Sequence, residues 1–170
     1  MTERARRALL MHYLAALAYR TQKALRGASA DFADFDAGNG VRTPKELVRH
    51  MASVLGYART MFRGGSYRPD PLDSFEDEIE RFHGMLEDLS AHLEGGDPHP
   101  DVTLEQLLQG PFSDAMTHAG QLALLRRLHG SPIPPENFVE ARVDPANVGS
   151  DQAEPRAPDA EWPEGPGAGQ

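Results

Sequence analysis

The stretch that most constrains the fold of this chain is residues 110–130, GPFSDAMTHAGQLALLRRLHG. Pro111 suits the first position of a helix and Gly130 is a typical helix end, and the apolar side chains between them cover most of the helix circumference. Apolar side chains nearly all round a helix indicate that the helix is buried. We therefore predict a central, buried helix in this stretch.

This apolar helix carries a carboxylate and an imidazole on one face. Asp114 and His118 are four residues apart, so they stack on the same helix face. Burying a carboxylate and an imidazole without partners is costly, because both groups lose their hydrogen bonds to water. The function of the chain therefore depends on what partners Asp114 and His118.

Length and composition exclude several classes of protein. The chain has 170 residues, enough for one domain with its own core, and it has no cysteine for disulfides, thiolate ligands or nucleophiles. Its net charge of −9 argues against a nucleic-acid partner. There is no apolar stretch long enough to span a membrane and no signal-peptide pattern at the N-terminus. We expect a soluble, cytoplasmic protein.

Apolar residues at helical spacing, together with capping residues, predict the other helices. Two capping boxes are present, in which a Thr is followed three residues later by Glu or Gln. They open the second helix and a short fourth helix, which Gly110-Pro111 kinks or breaks before the central helix. The predicted ranges are 3–27, 44–63, 74–94 and 103–109.

The remaining segments are predicted to lack helices of their own. Residues 28–42 form a loop whose two Phe side chains pin it to the bundle. Residues 144–170 are rich in Pro, Gly and acids and cannot pack a core, so Trp162 is their one anchor. Parts of this tail are expected to lie along the bundle, and the last residues to be disordered.

These elements predict an all-α protein. Four amphipathic helices and a short extra helix are typical of an antiparallel four-helix bundle, here assigned to residues 1–143. The extended, acidic, Pro/Gly-rich tail occupies residues 144–170.

A third residue completes a candidate metal site. His50 lies at the edge of the apolar face of the second helix. One imidazole from a facing helix, added to Asp114 and His118, gives three ligands and leaves coordination positions open for water or substrate. Such a ligand set suits a divalent Zn, Ni, Mn or Fe(II) ion, and the residue types do not choose among these metals.

Each of the three residues also has a purely structural interpretation. Asp114 lies in the first turn, where an acid complements the helix dipole. His118 can be a core histidine that bonds to Asp114 or to a backbone carbonyl, and His50 can be a half-exposed residue at a face edge.

The other histidines are weaker candidates. His83, at the margin of its apolar stripe, is a possible fourth contributor. His12 lies opposite its helix's apolar stripe and is expected to be exposed or at a subunit interface. His99 and His129 lie in a loop and at a helix end, and we expect both to be solvated.

Two segments resemble the DinB/YfiT-like putative metalloenzymes. Residues 43–51, TPKELVRHM, are similar to the family's second helix, which opens with Pro-x-Glu-Leu and carries a metal-binding His. Residues 118–122, HAGQL, are similar to its His-x-Gly-Gln motif on the last bundle helix. The resemblance covers residues 5–140 and implies an up-down-down-up four-helix bundle, often dimeric, with three metal ligands.

The resemblance assigns two ligands directly and leaves the third in question. His50 and His118 match the family's ligands, whereas Asp114 stands where the family usually has a second His. A carboxylate can also bind a divalent ion, so the site is either kept with an altered metal preference or reduced to a hydrogen-bonded remnant.

The resemblance also implies classes of function. Members of the family include S-transferases and a maleylpyruvate isomerase that use low-molecular-weight thiols such as mycothiol or bacillithiol. A metal that binds such a thiol would lower its pKa and activate it at neutral pH. On this interpretation the protein acts on a small-molecule substrate, and Tyr57 and Gln121 line the pocket as donors.

The competing hypothesis is a non-catalytic bundle that forms a homodimer and binds a small ligand or a partner, for example in a stress response. If the protein is an enzyme, we expect a water-accessible cavity that ends at the three candidate ligands. If the protein is a non-catalytic binding module, we expect the three candidate side chains to be covered by packing or by the acidic tail.

Overall fold

The computed structural model describes residues 1–156, and these form an all-α bundle. The helices are α1 (Glu3–Leu25), α2 (Pro44–Arg63), α3 (Phe75–Gly95), the short α4 (Leu104–Leu107) and α5 (Ser113–Leu128). No β-strand is present within the described range. The all-α class predicted from the sequence is confirmed, and the up-down-down-up order of the helices stays a prediction.

Both capping boxes form as the sequence predicts. At the start of α2, the Thr43 side chain accepts from the backbone N–H of Glu46, and the Thr43 N–H donates to the Glu46 carboxylate at 2.9 Å. Thr103 and Gln106 make the same pair of bonds at α4. These bonds satisfy backbone N–H groups that have no partner within a helix.

The packing of the helices brings the predicted ligands to one interface. α1 packs against α3 and α5, and α2 packs against the same two helices. His50 is on α2, whereas Asp114 and His118 are on α5, so the contact between α2 and α5 positions all three. The core beside this interface consists of fully buried apolar side chains, among them Leu14, Leu17, Met51, Leu55, Phe82, Leu86, Leu89, Phe112 and Leu122.

α5 differs from its prediction at its start. Pro111 was expected at the first helical position, but α5 begins at Ser113. The preceding turn, Leu108–Phe112, is wider than an α-helical turn, and Gly110 has a non-helical conformation (φ −92°, ψ −106°). The predicted kink or break at Gly110-Pro111 is therefore confirmed, and it separates α4 from α5.

The prediction that α5 is buried nearly all round is wrong. Leu124 and Leu128 are 54% and 58% exposed, and Thr117 and Gln121 on the same side are also exposed. α5 occupies one corner of the bundle, where α1 and α2 cover only part of its circumference. The apolar residues on its outer side therefore remain at the surface.

One charged residue of α5 is buried. The guanidinium of Arg126 donates to the carbonyls of Ala24 and Arg26, each at 3.0 Å, and its Nε donates to the carbonyl of Ser131 at 3.0 Å. The last carbonyls of a helix have no partner within it, so Arg126 satisfies the end of α1. The positive charge of Arg126 also interacts favourably with the negative end of the α1 helix dipole.

The loop after α1 is held as predicted. Phe32 is fully buried and Phe35 packs against the core, so both Phe side chains pin the loop. The ring of His129 packs edge-on against both, with centroid distances of 5.5 and 5.1 Å. Only 15% of the His129 side chain is exposed, so the prediction that this residue is solvated is wrong.

The described part of the tail lies along the bundle, as expected. Residues 144–156 contain no helix, and Val148 is buried against the core. The carbonyl of Val148 lies 2.8 Å from Nδ1 of His83 on α3, and Arg26 donates to the carbonyl of Gln152 at 2.6 Å. Trp162 and the predicted disorder of the last residues lie outside the described residues.

Hydropathy within the described range gives one further result. No helix among residues 1–156 is long and apolar enough to cross a lipid bilayer.

Candidate metal centre

The three predicted ligands converge in the structure. One ligand atom from each of His50, Asp114 and His118 can be chosen so that all lie within 4.8 Å of one another. The rings of His50 and His118 meet edge-on, with centroids 4.8 Å apart and an interplanar angle of 72°. The helical spacing of Asp114 and His118 and the contact of α5 with α2 produce this arrangement.

The environment of His118 determines which of its nitrogens is free. Nδ1 lies 2.8 Å from Oε1 of Gln121, an oxygen that accepts a hydrogen bond. In the neutral ring, Nδ1 therefore carries the proton and Nε2 carries a lone pair. Nε2 is buried and has no hydrogen-bond partner in the described structure.

The Asp114 carboxylate lies close to this free nitrogen. Its Oδ1 is 3.3 Å from Nε2 of His118, in a geometry that does not make a hydrogen bond. A nitrogen lone pair and a carboxylate oxygen this close repel each other, and a cation or a proton bound by both removes the repulsion. A proton on Nε2 gives the structural alternative, an ion pair, and the 51% exposure of the Asp114 side chain makes such a pair weak.

His50 is in the protonation state that a metal requires. Burial lowers the pKa of His50 below its usual range, the charges of Arg42 and His118 lower it further, and Asp114 opposes the shift. A lowered pKa keeps the imidazole neutral at neutral pH, and the neutral ring is the form that binds metal.

The donor set fits a divalent ion after a small closure. Three ligand atoms at 2.0 to 2.2 Å from an ion with tetrahedral angles are about 3.4 Å apart. The separation of up to 4.8 Å is larger, so the most distant ligand atoms must approach each other by up to about 1.4 Å. His50 is half-buried and Asp114 is exposed, so their side chains have room to move, whereas Gln121 fixes His118.

The remaining histidines do not join the cluster. His83 is buried on α3 beneath the tail, so its predicted contribution as a fourth ligand is wrong. His12 is exposed, as one of its two predicted alternatives stated, and His99 is exposed as expected. His92 stacks on Phe62, with centroids 5.2 Å apart.

Two clefts give access to the cluster. One, of about 750 Å³, is lined by His50 together with Arg42, Arg49 and Arg68. The other, of about 700 Å³, is lined by Asp114, Tyr57, Thr117 and six further residues, and Ser53 lines both clefts. The described tail packs on α3 and at the end of α1, so it does not cover either cleft.

The two residues predicted to line the pocket differ in their roles. Tyr57 is 59% exposed and lines the cleft beside Asp114. Gln121 instead accepts a hydrogen bond from His118 and so orients the ring of a candidate ligand. Its position three residues after His118 on a helix was a sequence signal for this contact.

The arginines of the first cleft were not among the predicted site residues. Arg49 precedes His50 directly in the sequence, which was a signal for its presence near the site. Arg42 and Arg68 lie outside the helices, on either side of α2. Their convergence depends on the paths of two loops, which residue spacing alone does not predict.

Comparison of the chain with protein-family models, with curated proteins and with solved structures finds no match. The resemblance to DinB/YfiT-like proteins therefore stays a prediction that depends on residues 43–51 and 118–122.

Proposed function

We propose that the protein binds one divalent metal ion through His50, Asp114 and His118 and uses it to act on a small molecule. The single observation that carries this proposal is the buried Nε2 of His118, which has no hydrogen-bond partner and lies 3.3 Å from Oδ1 of Asp114. A metal ion between these atoms satisfies both, and His50 supplies the third ligand.

The proposed activity is that of a thiol-dependent S-transferase or isomerase. A bound Zn, Ni, Mn or Fe(II) ion would act as a Lewis acid and lower the pKa of a low-molecular-weight thiol. The chain has no cysteine, so the sulfur comes from the small molecule. The two clefts that meet at Ser53 offer separate space for the thiol and for the second substrate.

The protein's own residues orient and assist these molecules. Gln121 holds the His118 ring with Nε2 directed at the site. Asp114 contributes a negative charge that offsets the charge of the ion, and the Tyr57 hydroxyl is available in the cleft beside Asp114 as a hydrogen-bond donor.

A second candidate function is a non-catalytic, homodimeric bundle that has lost or weakened its metal site. The observation that favours it is the apolar surface formed by Leu124, Leu128 and Val41, which are 54%, 58% and 48% exposed. Contiguous exposed apolar residues are typical of interaction surfaces. In that case Asp114 and His118 remain as an ion pair.

Metal titration of the purified protein separates these functions. Calorimetry of the chelator-treated protein with Zn²⁺ or Ni²⁺ should give one binding site. His118→Ala should abolish this binding because it removes one of three ligands, whereas Asp114→His should retain or tighten it. His12→Ala, which changes an exposed imidazole on α1, is the matched control and should bind as the unchanged protein does.

The same titration identifies failure of the proposal. If the unchanged protein binds neither metal, or if His118→Ala binds as well as the His12→Ala control, the metal function is wrong. An Asp114→His variant that gains no metal at saturating Zn²⁺ or Ni²⁺ would favour the non-catalytic bundle.

A further inference from the structure

Three guanidinium groups surround the cleft that His50 lines. Arg42 precedes α2, Arg49 lies on α2 directly before His50, and Arg68 is in the loop that follows α2. In the described part of the chain, none of the three has a hydrogen-bond or ion-pair partner. Three unpaired cations therefore face one concave surface.

These three unpaired arginines differ from most of the other arginines in the described part of the chain. The chain carries a net charge of −9, so carboxylates are available to pair with arginines. Many arginines elsewhere do form such pairs, namely Arg6, Arg7, Arg26, Arg59, Arg63 and Arg81. Arg4, Arg142 and Arg156 also lack an acidic partner in the described structure, but none of them lines this cleft. The three unpaired arginines of the His50 cleft are distinguished by lining one concave surface together.

The two acidic residues that line the cleft make no ion pair with these arginines. Asp36 accepts a hydrogen bond from the N–H of Gly38 at 2.7 Å, and Glu46 accepts one from the N–H of Thr43 at 2.9 Å. Both carboxylates therefore stabilise local backbone structure, in a turn and in the capping box of α2. The guanidinium groups keep their donors free for a ligand.

The cleft of the arginines extends to the candidate metal centre. His50, one of the three candidate ligands, lines this cleft together with Arg42, Arg49 and Arg68. A ligand held by the arginines therefore lies near the three candidate metal ligands.

We propose that Arg42, Arg49 and Arg68 bind an oxyanion, the carboxylate or phosphate group of a small organic substrate. Guanidinium groups suit this task because their paired N–H donors match the two oxygens of a carboxylate or phosphate. The cleft volume of about 750 Å³ accommodates a small molecule and leaves space toward Ser53 and His50 for its reacting part. This inference gives the substrate class for the proposed metal function. It depends on that function only for the statement that the bound anion is a substrate.

Anion binding to the full-length, chelator-treated protein tests this proposal without metal. The probes are inorganic phosphate and succinate, titrated separately by calorimetry at low salt, so that the two arms distinguish a phosphate from a carboxylate ligand. At least one anion should bind, and Arg42→Gln, Arg49→Gln and Arg68→Gln should each weaken binding roughly tenfold. Added NaCl should weaken binding as well, because it screens the charges.

Arg4→Gln is the matched control. Arg4 is an exposed arginine in the first turn of α1 and does not line the cleft, so this variant should bind the anion as the unchanged protein does. Circular dichroism of each variant should show unchanged helix content, because Arg42 and Arg68 are exposed and Arg49 is half-exposed.

Specific results would overturn the inference. The inference is wrong if the protein binds neither anion, or if the three cleft variants bind an anion as well as the Arg4→Gln control does. It is also wrong if anion binding requires zinc and does not change when the cleft arginines are replaced. The metal titration described above is independent of these results. Metal binding without anion binding removes this inference alone, and anion binding without metal binding removes the proposed function alone.

Discussion

Nδ1 of His118 lies 2.8 Å from Oε1 of Gln121, one turn further along α5. This contact fixes the ring of the buried histidine and leaves Nε2 free toward Asp114 and His50. Metal-binding histidines in proteins almost always have such a second contact, which sets the tautomer and the direction of the ring.

Gln121→Ala should therefore weaken metal binding by about tenfold to a hundredfold. The ring of His118 would lose its acceptor and would no longer be held in the tautomer with a free Nε2. Leu124→Ala, which shortens another exposed side chain of α5, should leave the affinity for Zn²⁺ unchanged. Equal affinities of the two variants in calorimetry would show that Gln121 does not orient a ligand.

Metal affinity should fall as the pH is lowered, because protons compete with the metal for both imidazoles. An exposed histidine has a pKa of about 6.5. Because the pKa of His50 is lower than this, its ring stays neutral as the pH falls through about 6.5 and gains a proton only at a lower pH. Arg42→Gln removes one cause of that shift, so the pKa rises and the loss of affinity should begin at a higher pH. Zn²⁺ titrations across this range, with Arg4→Gln as control, test this order, and an affinity that rises on acidification contradicts it.

Much of the fold follows from local sequence signals. The capping boxes at Thr43 and Thr103, the helix breaks at Gly64 and Gly110, and the pinned loop at Phe32 depend on neighbouring residues, and all were predicted. The apolar stripes likewise predicted four long helices. These features need no information about distant parts of the chain.

The failed predictions concern contacts between distant residues. α5 looked buried because its sequence is apolar, but its exposure depends on its place at a corner of the bundle. His129 packs on two Phe side chains of the first loop, and His83 bonds to Val148 of the tail, 65 residues away. Helical periodicity places a residue on a face, but it does not identify which segment covers that face.

In the candidate site, too, local sequence signals were predictive and contacts between distant segments were not. Helical spacing placed Asp114 and His118 together, and the position of His50 at the edge of the apolar face of α2 made it the third candidate, which the resemblance to a family also indicated. Of the three arginines of the adjoining cleft, Arg49 lies on α2 beside His50, whereas Arg42 and Arg68 come from the loops before and after α2, and no periodic pattern connects them.

A homodimer is expected to bury the exposed apolar face of α5. Light scattering should give twice the mass of the 18.6 kDa chain, and Leu124→Lys should shift the protein toward the monomer because it places a charge in the interface. Leu9→Lys on α1 is a matched control, since Leu9 and Leu124 are both 54% exposed. A monomer mass at high concentration for the unchanged protein removes the dimer.

Arg126→Met should destabilise the bundle by about 2 to 4 kcal/mol. The substitution keeps much of the buried volume but leaves the carbonyls of Ala24, Arg26 and Ser131 without their donor. Urea unfolding of this variant and of Arg4→Met, an exposed arginine on α1, measures the difference. Equal free energies of unfolding would show that water replaces Arg126 at the end of α1.

Acid should destabilise the protein through His83, which is independent of the metal site. Burial lowers the pKa of His83, although its contact with Val148 and the charge of Glu87 oppose the shift. The neutral ring donates from Nδ1 to the Val148 carbonyl, and the buried Nε2 has no acceptor for a second proton. The unfolded chain therefore binds a proton at a higher pH than the folded protein does.

The sign of the effect follows from this difference in proton binding. The contribution of His83 to stability is complete above about pH 6.5, the value expected in the unfolded chain, and is lost as the pH falls toward the lower pKa of the folded state. His83→Leu should be less stable at pH 8 by about 1 kcal/mol, because it loses the bond to Val148, but should lose less stability on acidification. His12→Leu removes an exposed imidazole and should keep the slope of the unchanged protein. If urea unfolding gives the same slope for His83→Leu as for His12→Leu, then His83 is not a source of the acid sensitivity.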